Sequence, residues 1–184
     1  MLAIFDVEGV LYDAEYLPLL AEKVNKENKI WEITKKGIEG KIDWVEGLKE
    51  RVHLLRGMDY DTCIQVANSL PIMTGAKEAC LALKEAGWKI MAVSGGFTII
   101  TDRLKKELGL DFVFSNELVF KDDKLDDVIV NVDADKAKAA PRNFFNLSVI
   151  IVKPPETAII FQPAFFNTLH ASLAPVIIGK EFAT

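Results

Sequence analysis

The sequence predicts an α/β fold: a parallel sheet of Rossmann-like build with an all-helical insert after the first strand. Three observations carry that prediction. The apolar run Leu2 to Phe5 ends abruptly on Asp6-Val7-Glu8-Gly9, the pattern of a fully buried strand whose C-terminal end reaches a site. From Asp13 to about Leu70 the apolar residues change to helical period. After Pro71, helix-period and strand-period segments alternate with short joints, as expected of a parallel sheet.

Taken in order, the first strand delivers Asp6. The insert then divides into four helical segments: one carrying Tyr16, Leu19, Leu20 and Val24, then Ile30 to Ile38, then Trp44, Leu48, Val52 and Leu55, then Cys63 to Leu70. Gly37, Gly40 and Gly57 are expected between these segments, at helix ends and turns. Ala76 to Gly87 is an amphipathic helix, Trp88 to Val93 a β-rich run, and Phe97 to Leu108 a second helix closed by Gly109. Asp111 to Phe120 and Lys124 to Val132 are strands on either side of the Lys121-Asp122-Asp123-Lys124 turn, which makes a hairpin. Ser148 to Val152 supplies one more buried strand. Residues 1–12 and 71–184 are thus expected to form the α/β core, and 13–70 the helical insert.

The chain of 184 residues is half hydrophobic and 27% charged, which excludes disorder, collagen and coiled coil. Its 22 Lys and Arg against 27 Asp and Glu give a formal charge of −5, which does not favour a nucleic-acid partner. Cys63 and Cys80 lie in apolar helical patterns without metal-ligand spacing and read as reduced core residues. The N-terminus lacks the basic region of a secretory signal, so a cytoplasmic location is expected. Thr157 to Gly179 carries no charged residue, yet Gln162, Pro163, Asn167, His170 and Pro175 break it into short apolar pieces. That reads as strands and turns rather than a membrane span. Residues 141–184 are chemically unlike the rest, holding only five charged residues but six of the eleven phenylalanines. A hydrophobic closing layer and a rearranged ending both account for this. If Phe144 to Phe182 left apolar surface exposed, a homodimer would cover it.

Three groups of residues bear chemistry. Asp6 and Glu8 stand at the mouth of a parallel strand, and a bend at Gly9 turns both towards one pocket. One carboxylate there can attack phosphorus while the other moves the proton; a turn or capping pair is the bland alternative. Val93-Ser94-Gly95-Gly96-Phe97 follows a buried strand and opens a helix. Its hydroxyl and glycine amides make either an anion site at a helix N-terminus or a plain tight turn. Asp135-Lys136-Ala137-Lys138 places a lysine after the hairpin, able to hold phosphate or simply to be solvated. His53 and His170 have no partner at metal or triad spacing, and Trp31, Trp44 and Trp88 read as core, with Trp44 also suited to line the pocket.

On these residues the chain resembles the haloacid dehalogenase-type hydrolases, and within them the phosphoserine phosphatases, over residues 1 to 138. Ile4-Phe5-Asp6-Val7-Glu8-Gly9-Val10-Leu11 resembles the first family motif, implying Asp6 as nucleophile and Glu8 as acid/base, both beside Mg²⁺. Val93 to Phe97 matches the second motif, implying that Ser94, Gly95 and Gly96 bind the phosphoryl group. Lys136 matches the third-motif lysine, with Lys138 as the alternative. The insert corresponds to the family's helical cap, of the C1 type. Glu15 and Arg51 fall where phosphoserine phosphatases hold the substrate's amino and carboxylate groups, and one acid with one fork-shaped cation suits a zwitterion. The resemblance therefore implies a Mg²⁺-dependent phosphomonoesterase acting on O-phosphoserine, a small-molecule substrate.

Two departures accompany it. Glu8 stands where the family has Asp, lengthening the acid's reach by one methylene while its backbone carbonyl stays available to Mg²⁺. The fourth motif, an apolar strand followed by Gly-Asp, is missing: Ser148 to Val152 leads into Lys153-Pro154-Pro155-Glu156. Lys153 at the place of a metal-binding Asp would repel the ion, and Glu156 replaces that Asp only if the Pro-Pro turn brings it back. The alternatives are then an active phosphatase for phosphoserine or another small phosphomonoester, and a scaffold that binds or assembles without catalysing.

Overall fold

A computed structural model describes residues 1–132, 149–152 and 159–160. At its centre lies strand β1 (Leu2–Phe5), whose four residues are all buried. It runs parallel to β2 (Lys89–Phe97) on one side and to β5 (Val149–Val152) on the other, with Leu2 level with Lys89 and Val149. Strand β3 (Phe112–Lys121) continues the parallel set beyond β2. Strand β4 (Lys124–Ile129) turns back antiparallel on β3, and β6 (Ile159–Ile160) does the same on β5. The order β4-β3-β2-β1-β5-β6 is that of an α/β sheet of Rossmann-like type. A strand with neighbours and covering layers on both sides has no polar face, which is why β1 and the start of β2 read as continuous apolar runs.

Four helices fill the stretch between β1 and the rest of the sheet: α1 (Tyr16–Glu22), α2 (Glu27–Ile38), α3 (Trp44–Leu54) and α4 (Tyr60–Ser69). Helices α5 (Ala76–Glu85) and α6 (Thr98–Glu107) flank β2. Gly37 lies inside α2 rather than between segments, while Gly40 and Gly57 take the left-handed conformation at turns. The expected hairpin forms, and Asp122 and Asp123 both have positive φ, the geometry of a two-residue turn matched to strand twist. Trp88 is buried, but Trp31 is 53% exposed, so it is not a core residue. Its neighbours Ile30 and Ile33 face the interior instead, because the stripe that α2 buries passes beside Trp31.

The interior of the four helices is continuous with that of the sheet: Leu20, Ile30, Leu48 and Val52 belong to the same cluster as Phe5, Ile90, Ala92 and Ile100. Two crossings join the parts. Tyr12 bridges Ile72, with Asp13 N–H on the Pro71 carbonyl and Met73 N–H on the Leu11 carbonyl. On the far side, the loop after α3 adds to the hairpin: Gly57 N–H donates to the Leu125 carbonyl, and Leu125 N–H donates to the Met58 carbonyl. Exposed pairs His53 with Asp127, Arg56 with Asp126 and Asp59 with Lys124 border that seam. No helix among the described residues is long and apolar enough to cross a membrane. Most of the segment from Phe144 to Phe182, on which the expectation of a homodimer rests, lies outside the described residues.

Candidate active site

The C-terminal ends of β1 and β2 open into a cavity of about 310 Å³ roofed by the inserted helices. Asp6, Glu8, Gly95, Gly96 and Phe97 line its sheet side, and Glu15, Thr34, Trp44 and Arg51 are among the residues that line its helical side. Ligands of open α/β sheets bind at this carboxyl edge, where strand ends present their polar groups together.

Asp6 is the first residue beyond β1, and Val7 N–H donates to its Oδ1 at 2.8 Å. The chain then turns: Gly9 has a φ of +76°, and the carbonyl of Val7 accepts from the amides of Leu11 and Tyr12. This turn carries Glu8 back over the strand end, so both carboxylates meet one cavity. The Glu8 Oε1 accepts the backbone N–H of Tyr16 at 2.7 Å. Tyr16 opens α1, where the first amides have no partner in the helix, and Glu15, the residue before it, does not cap with its own side chain. Glu8 therefore caps a helix eight residues downstream. Pro18 in the same first turn has no amide to satisfy.

Burial, then the charges of Glu15 and Asp6, push the Glu8 carboxyl up to about 7, against the Tyr16 hydrogen bond and Arg51, which pull it down. A carboxyl poised there can both give and take a proton near neutral pH. Opposite it, any side chain at Gly96 would put a carbon 2.6 Å from Glu8 Oε2 and 3.0 Å from Ser94 Oγ. Glu8 is anchored at Tyr16 and has little room to yield, so only glycine fits at 96.

Ser94 is 1% exposed. Ser94, Gly95 and Gly96 do not open the helix as expected, because β2 continues through Phe97 and α6 begins at Thr98. They form a bulge: Val93 pairs with Phe114 and Phe97 with Asn116, so three residues of β2 stand against one of β3. Within it, Gly96 N–H donates to Ser94 Oγ at 2.9 Å, and the Gly95 carbonyl accepts from Asn116 Nδ2 at 2.9 Å.

Arg51 reaches the cavity from α3, its Nε donating to the Gly47 carbonyl at 3.2 Å and its Nη1 facing Thr34 Oγ1 at 3.4 Å. Burial lowers its pKa, while the nearby carboxylates of Glu8 and Glu15 raise it, so the cation faces both acids. Glu15 is exposed at the start of α1. Lys136 and its alternative Lys138, like Lys153, Glu156 and His170, lie outside the described residues. His53 is exposed on α3 and meets Asp127 at 3.1 Å.

Hard oxygens suitable for Mg²⁺ are present at Asp6 and at the main chain of Glu8. The Glu8 carboxylate is already engaged with Tyr16. Among the described residues no group of three or more His, Cys, Asp or Glu is placed to hold a metal ion. The sequence motifs do not single out Tyr16, which reads as an apolar helix residue, nor Thr34, nor Asn116, a polar residue within a strand run and 0% exposed. A buried asparagine in a strand is the one signal that would have found the last of these.

Comparison with known proteins gives one consistent picture. A family model described as haloacid dehalogenase-like hydrolase matches residues 1–159. The phosphoserine phosphatase of Lactococcus lactis is 36% identical over 157 residues, covering 82% of this chain and 73% of that protein. Those of Archaeoglobus fulgidus and Wolinella succinogenes are each 40% identical over 124 residues, or 67% of this chain. The match spans only 36% and 60% of their respective lengths. Among solved structures, a phospho-aspartyl intermediate analogue of phosphoserine phosphatase superposes with a TM-score of 0.73 at 32% identity, covering 82% of this chain and 76% of that one. A substrate-bound phosphoserine phosphatase complex gives 0.73 at 31%, covering 82% and 75%.

Proposed function

The chain belongs to the haloacid dehalogenase-like hydrolases, and from that premise we propose that it is a Mg²⁺-dependent phosphomonoesterase acting on O-phosphoserine. The observation that carries the proposal is the convergence of Asp6, Glu8, Gly95, Gly96, Glu15 and Arg51 on one cavity, together with the kinship to proteins named phosphoserine phosphatases.

In this reading an Asp6 oxygen attacks phosphorus as the ester P–O bond breaks, and the Glu8 carboxyl gives its proton to the departing seryl oxygen. An aspartyl phosphate and free serine result. The Glu8 carboxylate then takes a proton from water, whose oxygen attacks phosphorus; the acyl phosphate bond breaks, phosphate leaves, and Asp6 is restored. Ser94 and the Gly95-Gly96 bulge hold the phosphoryl oxygens, joined by Lys136 or Lys138. Glu15 takes the substrate ammonium and Arg51 its carboxylate. The Asp6 carboxylate and the Glu8 main-chain carbonyl are the oxygens we assign to Mg²⁺, which when bound offsets phosphate charge. The helices from 13 to 70 act as the cap. A cytoplasmic setting belongs to the same proposal and is supported by the buried free thiols of Cys63 and Cys80.

A second reading, a scaffold that binds an anion without turnover, is favoured by Lys153-Pro154-Pro155 in place of the fourth motif. Phosphate release from O-phosphoserine with and without excess Mg²⁺, with Asp6→Asn as the blank, separates the two. Metal-dependent turnover at least a hundredfold above the blank is expected; no turnover by a folded protein selects the scaffold. Arg51→Ala is expected to lose at least tenfold more kcat/KM on phosphoserine than on p-nitrophenyl phosphate, and an equal loss on both would reassign the substrate.

A further inference from the structure

We propose that Asn116 is a positioning residue for the phosphate-binding bulge: it sets the orientation of the Gly95–Gly96 peptide from a strand that does not itself reach the cavity. The inference rests on the phosphatase reading of the site and extends it to a residue outside the motifs that carry the resemblance.

The argument begins with the sheet. Where Ser94, Gly95 and Gly96 bulge out of β2, the ladder with β3 is interrupted between Val93 and Phe97. A backbone carbonyl displaced from its ladder in a buried place needs another donor or costs free energy. Asn116 meets that need. It pairs with Phe97 at the point where the ladder resumes, and its Nδ2 donates to the Gly95 carbonyl at 2.9 Å. The same peptide is held from its other side, since Gly96 N–H donates to Ser94 Oγ at 2.9 Å. One peptide plane is thus fixed at both its oxygen and its hydrogen, and its two residues line the cavity.

The other end of the Asn116 amide is also committed. Its Oδ1 accepts from Asn131 N–H at 2.9 Å and from Val132 N–H at 2.8 Å. The side chain therefore joins the β2 bulge to the chain leaving β4, with three backbone partners and 0% exposure. An amide is the group this geometry demands, because one end must donate and the other must accept two bonds. Aspartate has the same size and keeps the accepting oxygen, but sets a second acceptor against the Gly95 carbonyl. A peptide free to rotate there would turn the Gly96 amide away from Ser94 Oγ and leave that hydroxyl, which the phosphatase reading assigns to phosphate, without its fixed partner; preorganised donors lose their effect when they must first be oriented.

The test uses the whole chain with Mg²⁺ and compares Asn116→Asp with Ser115→Ala. Ser115 is the adjacent buried residue, and its hydroxyl pairs with Thr101 Oγ1 at 3.0 Å and makes no bond to the bulge. Asn116→Asp is expected to lower kcat at least tenfold on both O-phosphoserine and p-nitrophenyl phosphate, with the ratio of the two unchanged. It is also expected to weaken inorganic phosphate at least fivefold, read from the Gly96 amide by NMR. Ser115→Ala is expected to lower the melting temperature while leaving kcat and phosphate binding as in the parent. Asn116→Asp with parental kcat and phosphate affinity, or with only the phenotype of Ser115→Ala, overturns the proposal. If the parent shows no turnover but Asn116→Asp still weakens phosphate, the enzyme reading fails and the positioning role stands.

Discussion

Glu8 shows how one side chain takes on two roles. Its Oε1 completes the first turn of α1, and burial, reinforced by the charges of Glu15 and Asp6, lifts its pKa to about 7. The sign of the resulting pH dependence follows from linkage. Below about pH 4.5 the carboxyl is protonated in both the folded and unfolded states and contributes nothing. Between about 4.5 and 7 the unfolded chain ionises while the folded protein keeps its proton, so stability falls as pH rises, by up to about 3 kcal/mol at ~1.4 kcal/mol per unit. Above about 7 the loss is complete and constant. Glu8→Gln keeps an oxygen for the Tyr16 amide and removes the charge. In chelator, chemical denaturation is expected to show the variant more stable than the parent at pH 8 and equal to it at pH 4. Its turnover is expected to fall at least a hundredfold, as for loss of an acid/base group. Equal stability at pH 8 would show that the Glu8 charge carries no folding cost.

At the scale of elements, helix α6 clamps the crossing between the inserted helices and the sheet. Arg103 Nη1 donates to the carbonyls of Asn68 and Leu70, both at 2.9 Å, where α4 ends and no further helical turn follows. Its guanidinium also lies 5.8 Å from the centre of the Tyr12 ring, and its Nε pairs with Glu107 at 2.6 Å. The Tyr12 hydroxyl in turn donates to the Ile100 carbonyl. One side chain thus touches both strands of the crossing. Arg103→Ala is expected to cost roughly 1–2 kcal/mol, read as a lower melting temperature. Arg103→Lys is expected to recover less than half of that, since a point charge does not reproduce the fork. Full recovery by lysine would show that charge alone holds the crossing. The helices themselves were legible in the sequence: the apolar residues of α1 to α4 repeat at helical spacing, a local signal. The length of β2 was not legible, because Ser94-Gly95-Gly96 favours a turn locally and stays in the sheet through pairing of Phe97 with Asn116. Trp31 lines the cavity instead of the expected core for a related reason, since an apolar helical position says nothing of whether a cavity or a core lies opposite.

For the molecule as a whole, the metal gives the decisive measurement that does not depend on turnover. If Asp6 and the Glu8 main chain hold Mg²⁺ in the folded protein alone, the ion raises stability by mass action, about 2.7 kcal/mol at a hundred times its dissociation constant. A Mg²⁺-dependent rise in melting temperature is expected for the parent and is expected to be reduced to less than half for Asp6→Asn. The same rise in both would place the ion elsewhere.

By itself the sequence determined the element order, the buried first strand, the four helical segments and the hairpin, because these follow from periodicity and turn chemistry within a few residues of chain. It also marked Asp6, Glu8, Glu15, Ser94 and Arg51 as chemically capable. Only the tertiary structure decided what those groups are to one another. Glu8 caps a helix begun by Tyr16, Gly96 admits no side chain because Glu8 lies against it, and Asn116 reaches across from β3 to hold the Gly95 carbonyl. The reason is physical: hydrogen bonds, burial and pKa values depend on atoms brought within a few ångströms from distant parts of the chain, and no local pattern encodes which atoms those are.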